Sequence, residues 1–197
     1  IAYWYNNNLL YRTSDLPQSG SRSWNADVNV YSASNRQPYS FDLEVDSNGI
    51  AHIAFFSSSS DSYAMRYLNN TGGTFSSSNS VVDNLPNQND NYLDLDLDSN
   101  GLAHVTWTDK TNRTVYQTSI NGSSSTTKLV ETLPSGSDYT IYGVSQAISS
   151  DDRVYIFINA RSKSVLTFQG SFTPWSLQAN VEPGDVDGDG ICDNLET

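Results

Sequence analysis

The feature that most limits what this chain can become is an internal repeat. Phe41-Asp-Leu-Glu-Val-Asp-Ser-Asn-Gly-Ile-Ala-His-Ile-Ala-Phe55 matches Leu93-Asp-Leu-Asp-Leu-Asp-Ser-Asn-Gly-Leu-Ala-His-Val-Thr-Trp107 at an offset of 52 residues. A further 52 residues lead to Ser150, inside the degraded copy Val144-Ser-Gln-Ala-Ile-Ser-Ser-Asp-Asp-Arg-Val-Tyr-Ile-Phe-Ile158. An incomplete copy opens the chain: Ala2-Tyr3-Trp4 fits Val105-Thr106-Trp107, and Leu10-Tyr11-Arg12-Thr13-Ser14 fits Val115-Tyr116-Gln117-Thr118-Ser119. A chain that repeats at this period is built from one supersecondary unit used several times.

Each unit reads as four strands. Strand one alternates apolar and acidic residues, as in Leu93-Asp94-Leu95-Asp96-Leu97, the pattern of a half-buried strand. Ser47-Asn48-Gly49 and Ser99-Asn100-Gly101 carry the Asn-Gly signal of a hairpin turn. Strand two, Leu102 to Trp107, is apolar on both faces and is expected to lie between neighbouring sheets. Polar loops at 6–8, 57–62 and 109–112 precede strands holding Tyr11, Tyr67 and Tyr116. Strand four ends at Leu85-Pro86 or Leu133-Pro134, and no stretch reads as an amphipathic helix. The expected fold is therefore all-β, a β-propeller or partial propeller of about four four-stranded repeats of ~52 residues each. One blade cannot bury both of its faces, whereas blades stacked around an axis can.

The expected organisation is residues 1–183 as propeller repeats, the first blade incomplete, and residues 184–197 as a calcium-binding loop or linker. Ile1 falls inside strand two of its unit. Propellers commonly close with about six to eight blades. The expectation is a fragment, or a chain that closes its ring through self-association or a second chain. An open arc would expose sheet edges.

The last thirteen residues carry the densest chemistry. Counting Asp185 as position 1, acids fall at 1, 3, 5, 9 and 12 (Asp185, Asp187, Asp189, Asp193, Glu196), with Gly190 at 6. This is the ligand spacing of a calcium loop, in which the Ile191 carbonyl adds the oxygen at position 7. Calcium is a hard ion, and alternating acids on a tightly turning chain converge on it; Gly190 permits the turn. The expected cofactor is calcium, held by Asp185, Asp187, Asp189, Ile191, Asp193 and Glu196.

Composition narrows the partners. Lys and Arg total 10 against 22 Asp and Glu, a formal charge of −12, which repels phosphate backbones and argues against nucleic acid. Aromatics make up 12% of the chain, more than a disordered chain carries. No run is long enough to insert in a membrane, and no signal peptide is visible. Cys192 is the single cysteine, so no internal disulfide forms. Sequons occur at Asn69, Asn112 and Asn121.

His52 and His104 are the only histidines and share one repeat position, which Tyr155 fills in the third copy. One reading makes them acid/base groups beside a channel, with Tyr63, Tyr67 or Tyr116 in a proton role and Arg66 or Arg113 neutralising a uronate. The catalytic candidates are thus His52, His104 and Tyr116. The other reading is structural: each histidine tethers neighbouring blades, and recurrence at equivalent positions favours it. Glu44-x-Asp46-x-Asn48-Gly49 and Asp96-x-Asp98-x-Asn100-Gly101 read as partial calcium loops or as hairpin turns. Phe55 and Trp107 fall where a loop needs its last ligand, which favours turns, with the strand acids accepting hydrogen bonds from adjacent blades. Trp4, Phe55 and Trp107 share a position and read as core; the loops at 57–62 and 87–91 are rich in hydroxyls and amides that suit neutral polyols. No Gly-rich phosphate loop, no cysteine–histidine metal spacing and no Gly-x-Ser-x-Gly elbow is present.

Two resemblances follow from these motifs. The Asp-x-x-Gly-x-x-His units (Asp46-x-x-Gly49-x-x-His52, Asp98-x-x-Gly101-x-x-His104) resemble the repeats of sialidase-like propellers in secreted bacterial proteins, over residues 1 to about 183. The Asp-box of true sialidases is absent, so sialidase chemistry is not implied. Residues 185–197 resemble the calcium loops of thrombospondin type 3 and dockerin repeats, which implies the ligand set above and, for Cys192, a partner in a neighbouring repeat. Val181-Glu182-Pro183-Gly184 is not an entering helix, a departure from the EF-hand pattern. Together they imply an extracellular or cell-surface module of bacterial origin that binds a glycan or protein at the blade loops. The alternatives are part of a propeller polysaccharide lyase or glycoside hydrolase, which also places histidines and a tyrosine on blade strands, and a structural adhesin or filament subunit.

Overall fold

A computed structural model describes residues 1–14, 23–32, 40–58, 63–76, 79–85, 91–122, 124–133, 141–160, 166–171 and 176–180. The calcium loop, Cys192 and the loop residues 59–62 and 86–90 lie outside the described residues.

Fifteen strands and no helix occur among the described residues. They form four antiparallel sheets in which each strand pairs with its sequence neighbour. Sheet 1 holds β1 (Ala2–Tyr5), β2 (Asn8–Tyr11) and β3 (Val28–Ser32). Sheet 2 holds β4 (Phe41–Val45), β5 (Ala51–Ser58), β6 (Tyr63–Asn69) and β7 (Asn79–Leu85). Sheet 3 holds β8 (Leu93–Leu97), β9 (Ala103–Asp109), β10 (Thr114–Asn121) and β11 (Ser124–Thr132). Sheet 4 holds β12 (Ile141–Ile148), β13 (Arg153–Ala160), β14 (Leu166–Ser171) and β15 (Ser176–Asn180). The chain divides into two compact units, Ile1–Asn87 with sheets 1 and 2, and Gln88–Thr197 with sheets 3 and 4.

The turns follow from local chemistry. Asn6 and Asn7 both have positive φ (48° and 64°) and close a two-residue hairpin between Tyr5 and Asn8, the type I′ geometry that asparagine tolerates. In the β4–β5 and β8–β9 turns only the glycine is left-handed, Gly49 at +81° and Gly101 at +77°. The carboxylates of Asp46 and Asp98 accept the amides two and four residues on, at 2.8–2.9 Å. These Asx turns settle the hairpin reading of both motifs. In the third copy Ser149 takes the aspartate place, with Ser149 N donating to Arg153 O and Asp152 N to Ser149 O. The copy is thus in step at 51 residues rather than 52, and Asp152, at φ +59°, stands where the others have glycine.

Strand two behaves as its composition predicts in sheets 2 and 3: residues 51–57 of β5 and all of β9 are buried on both faces. In β13 burial alternates instead. Within the first unit, Trp4, Leu9, Tyr11 and Tyr31 of sheet 1 pack on Phe41, Ala51, Ile53 and Phe55 of sheet 2. Phe55 lies 4.8 Å from Tyr31 and 6.2 Å from Trp4, ring centre to ring centre. Trp4 and Phe55 therefore face each other across the sheets, which corrects the alignment that gave them one repeat position. A shift of one residue sends a side chain to the opposite face. Their reading as core stands. Within the second unit, Val115, Val130 and Leu133 pack on Ile141, Val154, Ile156 and Ile158.

The two sheets of the second unit are also joined by polar hooks. β12 is an edge strand that pairs with β13, so every second amide points to the open edge. Gln146 N donates to Asp94 Oδ2 at 2.5 Å and Ile148 N to Asp96 Oδ2 at 2.7 Å. The strand acids thus satisfy backbone donors of the next sheet, as expected, and close an edge that would otherwise be open to strand pairing.

Candidate functional site

His52 and His104 build two copies of one arrangement. In sheet 3, His104 is 0% exposed. Its Nδ1 lies 3.1 Å from Gln117 Nε2 and 3.0 Å from Ser119 Oγ. An amide nitrogen only donates, so Nδ1 is the bare acceptor and the ring proton sits on Nε2. That proton points to Asp98 Oδ2 at 3.4 Å, and the other oxygen of Asp98 holds the turn. In sheet 2, His52 Nδ1 lies 2.5 Å from Tyr67 Oη, which also accepts from Asn69 Nδ2 at 3.3 Å. Tyr67 therefore gives its own proton to Nδ1. Nε2 again faces an aspartate, Asp46 Oδ2 at 3.9 Å, too long for a hydrogen bond. Tyr67 and Ser119 are 52 residues apart and do the same job with different chemistry.

The electrostatics keep both rings neutral. Burial pushes the pKa of His52 and of His104 below the ordinary histidine value, opposed by Asp46 and Asp98 respectively. Burial also raises the Tyr67 phenol. The Ile50 amide, followed by that of Asn48, holds the Asp46 carboxyl below the usual range. His104 thus fastens the β-turn of its sheet to the third strand of the same sheet, whereas His52 is hydrogen-bonded to the third strand alone. The expectation that each bridges neighbouring sheets is corrected, because the partner fifteen residues on lies on the adjoining strand.

The remaining candidates do not converge on these rings. Tyr116 stacks on Trp107 at 4.5 Å and 20°; both lie on the face of sheet 3 opposite His104, since side chains alternate along β9 and β10. Trp107 Nε1 is spent on Thr118 Oγ1 at 2.9 Å. Arg66 donates to Ser57 Oγ at 2.6 Å and lies over the Tyr31 ring. Arg113 is a half-buried loop residue at φ +54° whose carbonyl accepts Leu133 N. Tyr63 is half-buried at the start of β6, and Tyr155 is partly exposed on β13. Of the loops read as polyol-binding, Ser57 and Asn91 are buried, the latter accepting Lys110 N. Among the described residues no three His, Cys, Asp or Glu side chains gather to hold a metal ion.

Three fasteners escaped the sequence. Gln146 Nε2 donates to Asp94 O at 3.0 Å and His104 O at 2.5 Å, while its Oε1 accepts Thr106 Oγ1 at 2.8 Å. The signal was Thr106, a hydroxyl inside an apolar strand. Asp152 accepts Ser99 N and Oγ, both at 2.8 Å, and the Ser99 amide holds its carboxyl below the ordinary range. On sheet 1, Arg12 grips Asp27 with two bonds of 2.7 and 2.8 Å, and Tyr3 Oη donates to Asp27 at 2.6 Å.

No family model matches the chain, and no curated protein does. Among solved structures, it is similar to a fucose lectin from Kordia zhangzhouensis in complex with methyl-fucoside, over 71% of this chain and 97% of the lectin. The identity is 9% and the TM-score 0.44.

Proposed function

We propose that this chain is a secreted or cell-surface module of β-propeller type that binds a glycan or a protein partner rather than catalysing a reaction. The observation that carries it is the state of His104: wholly buried, with both ring nitrogens bound inside its own sheet. An acid/base group must reach the proton it moves, and the hydrogen bonds of this ring to Asp98, Gln117 and Ser119 stay inside its own sheet. His52 is also buried, with Nδ1 bound to Tyr67 of its own sheet and Nε2 3.9 Å from Asp46. The residues turned to solvent at the hairpins include amides and hydroxyls: Asn6, Asn7, Ser47, Asn48, Asn100, Thr111 and Asn112. Such groups suit the hydroxyls of neutral sugars, and they sit on turns fixed by Asx bonds or by left-handed residues, so little ordering entropy is lost on binding.

The propeller reading is supported by four sheets of one strand order and by the clasps that recur between copies. The calcium reading rests on the acid spacing from Asp185 to Glu196. Without the ion five close carboxylates repel, so calcium would stiffen residues 184–197 as a linker.

The test is retention of the labelled protein on an immobilised panel of neutral and acidic glycans, with calcium present. Selective retention that a free oligosaccharide of the same class competes away is expected. Failure across the whole panel would sink the glycan reading. Uronate eliminase activity that disappears in His104→Ala while the fold persists would return the chain to the lyases.

A further inference from the structure

We infer that the β10–β11 hairpin carries a site of self-modification: the Asn121 side chain cyclises onto the Gly122 amide and loses ammonia, with water as the co-reactant. Asn-Gly occurs three times in the chain, at Asn48-Gly49, Asn100-Gly101 and Asn121-Gly122. Glycine has no Cβ and leaves its amide nitrogen unshielded. The three pairs are alike in sequence, and the fold separates them.

Two of them are locked. Gly49 N donates to Asp46 O at 3.0 Å and Gly101 N to Asp98 O at 2.9 Å, so neither nitrogen is free to attack. The Asn48 and Asn100 amides are held in turn by Asp46 Oδ1 and Asp98 Oδ1, both at 2.9 Å. Asn48 Nδ2 also donates to Asp46 Oδ2 at 3.4 Å. The attacking species is an amide nitrogen stripped of its proton, hence an anion, and a carboxylate beside it opposes its formation. Asp46 and Asp98 thus guard these turns by geometry and by charge.

Asn121 has none of these restraints. It is the last residue of β10, is exposed, and pairs with Ser124 at the start of β11. Pairing of β10 with β9 already ends at Ile120. Gly122 is exposed at φ +60°, and a Cβ placed on it would meet nothing within 4 Å. Among the described residues no acceptor takes the Gly122 N–H and no partner holds the Asn121 side chain. Turning the Asn121 main chain toward the geometry of attack therefore disturbs only the closing pair of the hairpin, an end that frays at little cost.

The step balances. Gly122 N passes its proton to water and bonds to Asn121 Cγ; the Cγ–Nδ2 bond breaks, and the nitrogen leaves as ammonia. Water then opens the succinimide ring. Opening at the side-chain carbonyl gives aspartate. Opening at the main-chain carbonyl gives isoaspartate, whose backbone runs through Cβ and is longer by a methylene. Either product adds negative charge to a chain that carries −12. Isoaspartate also displaces the register of Asn121 against Ser124. Of the three Asn-Gly pairs, the folded chain ages first at this one.

The experiment is incubation of the native chain at mildly alkaline pH, followed by tryptic mapping with mass spectrometry and by methyl transfer with an isoaspartate methyltransferase. Cleavage after Arg113 and Lys128 isolates residues 114–128, in which Asn121 is the only asparagine. This peptide should gain the mass difference between an amide and an acid, and fragmentation should place it at Asn121 rather than Gln117. The rate should rise with pH and exceed that at Asn48 and Asn100 by about tenfold or more, the factor set by opening one or two hydrogen bonds first. In guanidinium-unfolded chain the three sites should react at similar rates. Asn121→Gln should silence the peptide with an unchanged far-ultraviolet spectrum. If that variant misfolds, the comparison of native with unfolded wild-type chain decides alone. Native Asn48 or Asn100 reacting as fast as Asn121 overturns the inference. So does an Asn121 that stays an amide in the native chain while the unfolded chain converts it.

Discussion

Replacing Gln146 with alanine tests how the two sheets of the second unit are held. The side chain is buried and makes three hydrogen bonds, to Thr106 Oγ1, Asp94 O and His104 O. Thr106 is fully buried, so its hydroxyl is left without a partner, a loss of about 1–3 kcal/mol. The two carbonyls each forfeit a bond of about 0.5–1.5 kcal/mol. The expected destabilisation is roughly 2–6 kcal/mol, a large part of the ~5–15 kcal/mol that holds a typical domain together. Thr106→Val strands the Gln146 amide oxygen and should cost about 1–3 kcal/mol. The double variant Thr106→Val/Gln146→Ala removes both partners at once. Its loss should fall short of the summed single losses by roughly 1–2 kcal/mol, as for contacting groups. Equilibrium urea unfolding, followed by fluorescence and far-ultraviolet dichroism, measures all of these. A Gln146→Ala change within about 0.5 kcal/mol of wild type, or strictly additive losses, would show that the hooks do not couple the sheets.

Acid should loosen the fold through the two histidines. Their folded pKa values are depressed, so the unfolded chain binds protons first. Their contribution is complete above about pH 6.5 and falls as pH drops toward the folded values, by up to about 1.4 kcal/mol per unit for each ring. Urea midpoints across this window check the slope, which should shrink in His104→Gln. At Asp152, alanine loses both bonds to Ser99 and keeps the left-handed strain, whereas glycine loses the bonds and relieves it. Asp152→Ala should therefore be less stable than Asp152→Gly by about 1 kcal/mol, and the reverse order in thermal melts would deny the strain. Chelating calcium should speed protease cleavage within residues 184–197; unchanged cleavage would remove the linker role.

The hairpins were legible because their chemistry is local: an aspartate, an Asn-Gly pair and a histidine recur at fixed spacing. The role of the strand acids was legible too, since an acid alternating with leucine needs a donor. Long-range partners were not. Nothing near Gln146 in sequence indicates Thr106 and Asp94, forty and fifty-two residues earlier. The partners of the histidines, Tyr67 and Ser119, differ in chemistry while sharing a position, so the sequence alone does not mark the adjoining strand as the neighbour. The slip in the third copy came from Asp152, which adopts the conformation of the glycine it replaces. Aromatic character aligns Trp4 with Phe55 and Trp107, yet its face is decided by what it packs against.

Nitrogen-detected NMR of the two imidazoles tests most directly whether the histidines are fasteners. With only two histidines in the chain, the spectrum resolves each ring. Both should be neutral with the proton on Nε2 at pH 7, and neither should titrate at the ordinary value of about 6.5 while the fold persists. A ring protonated on Nδ1, or one that titrates freely near or above that value in the folded protein, would contradict the clasp and reopen the catalytic reading.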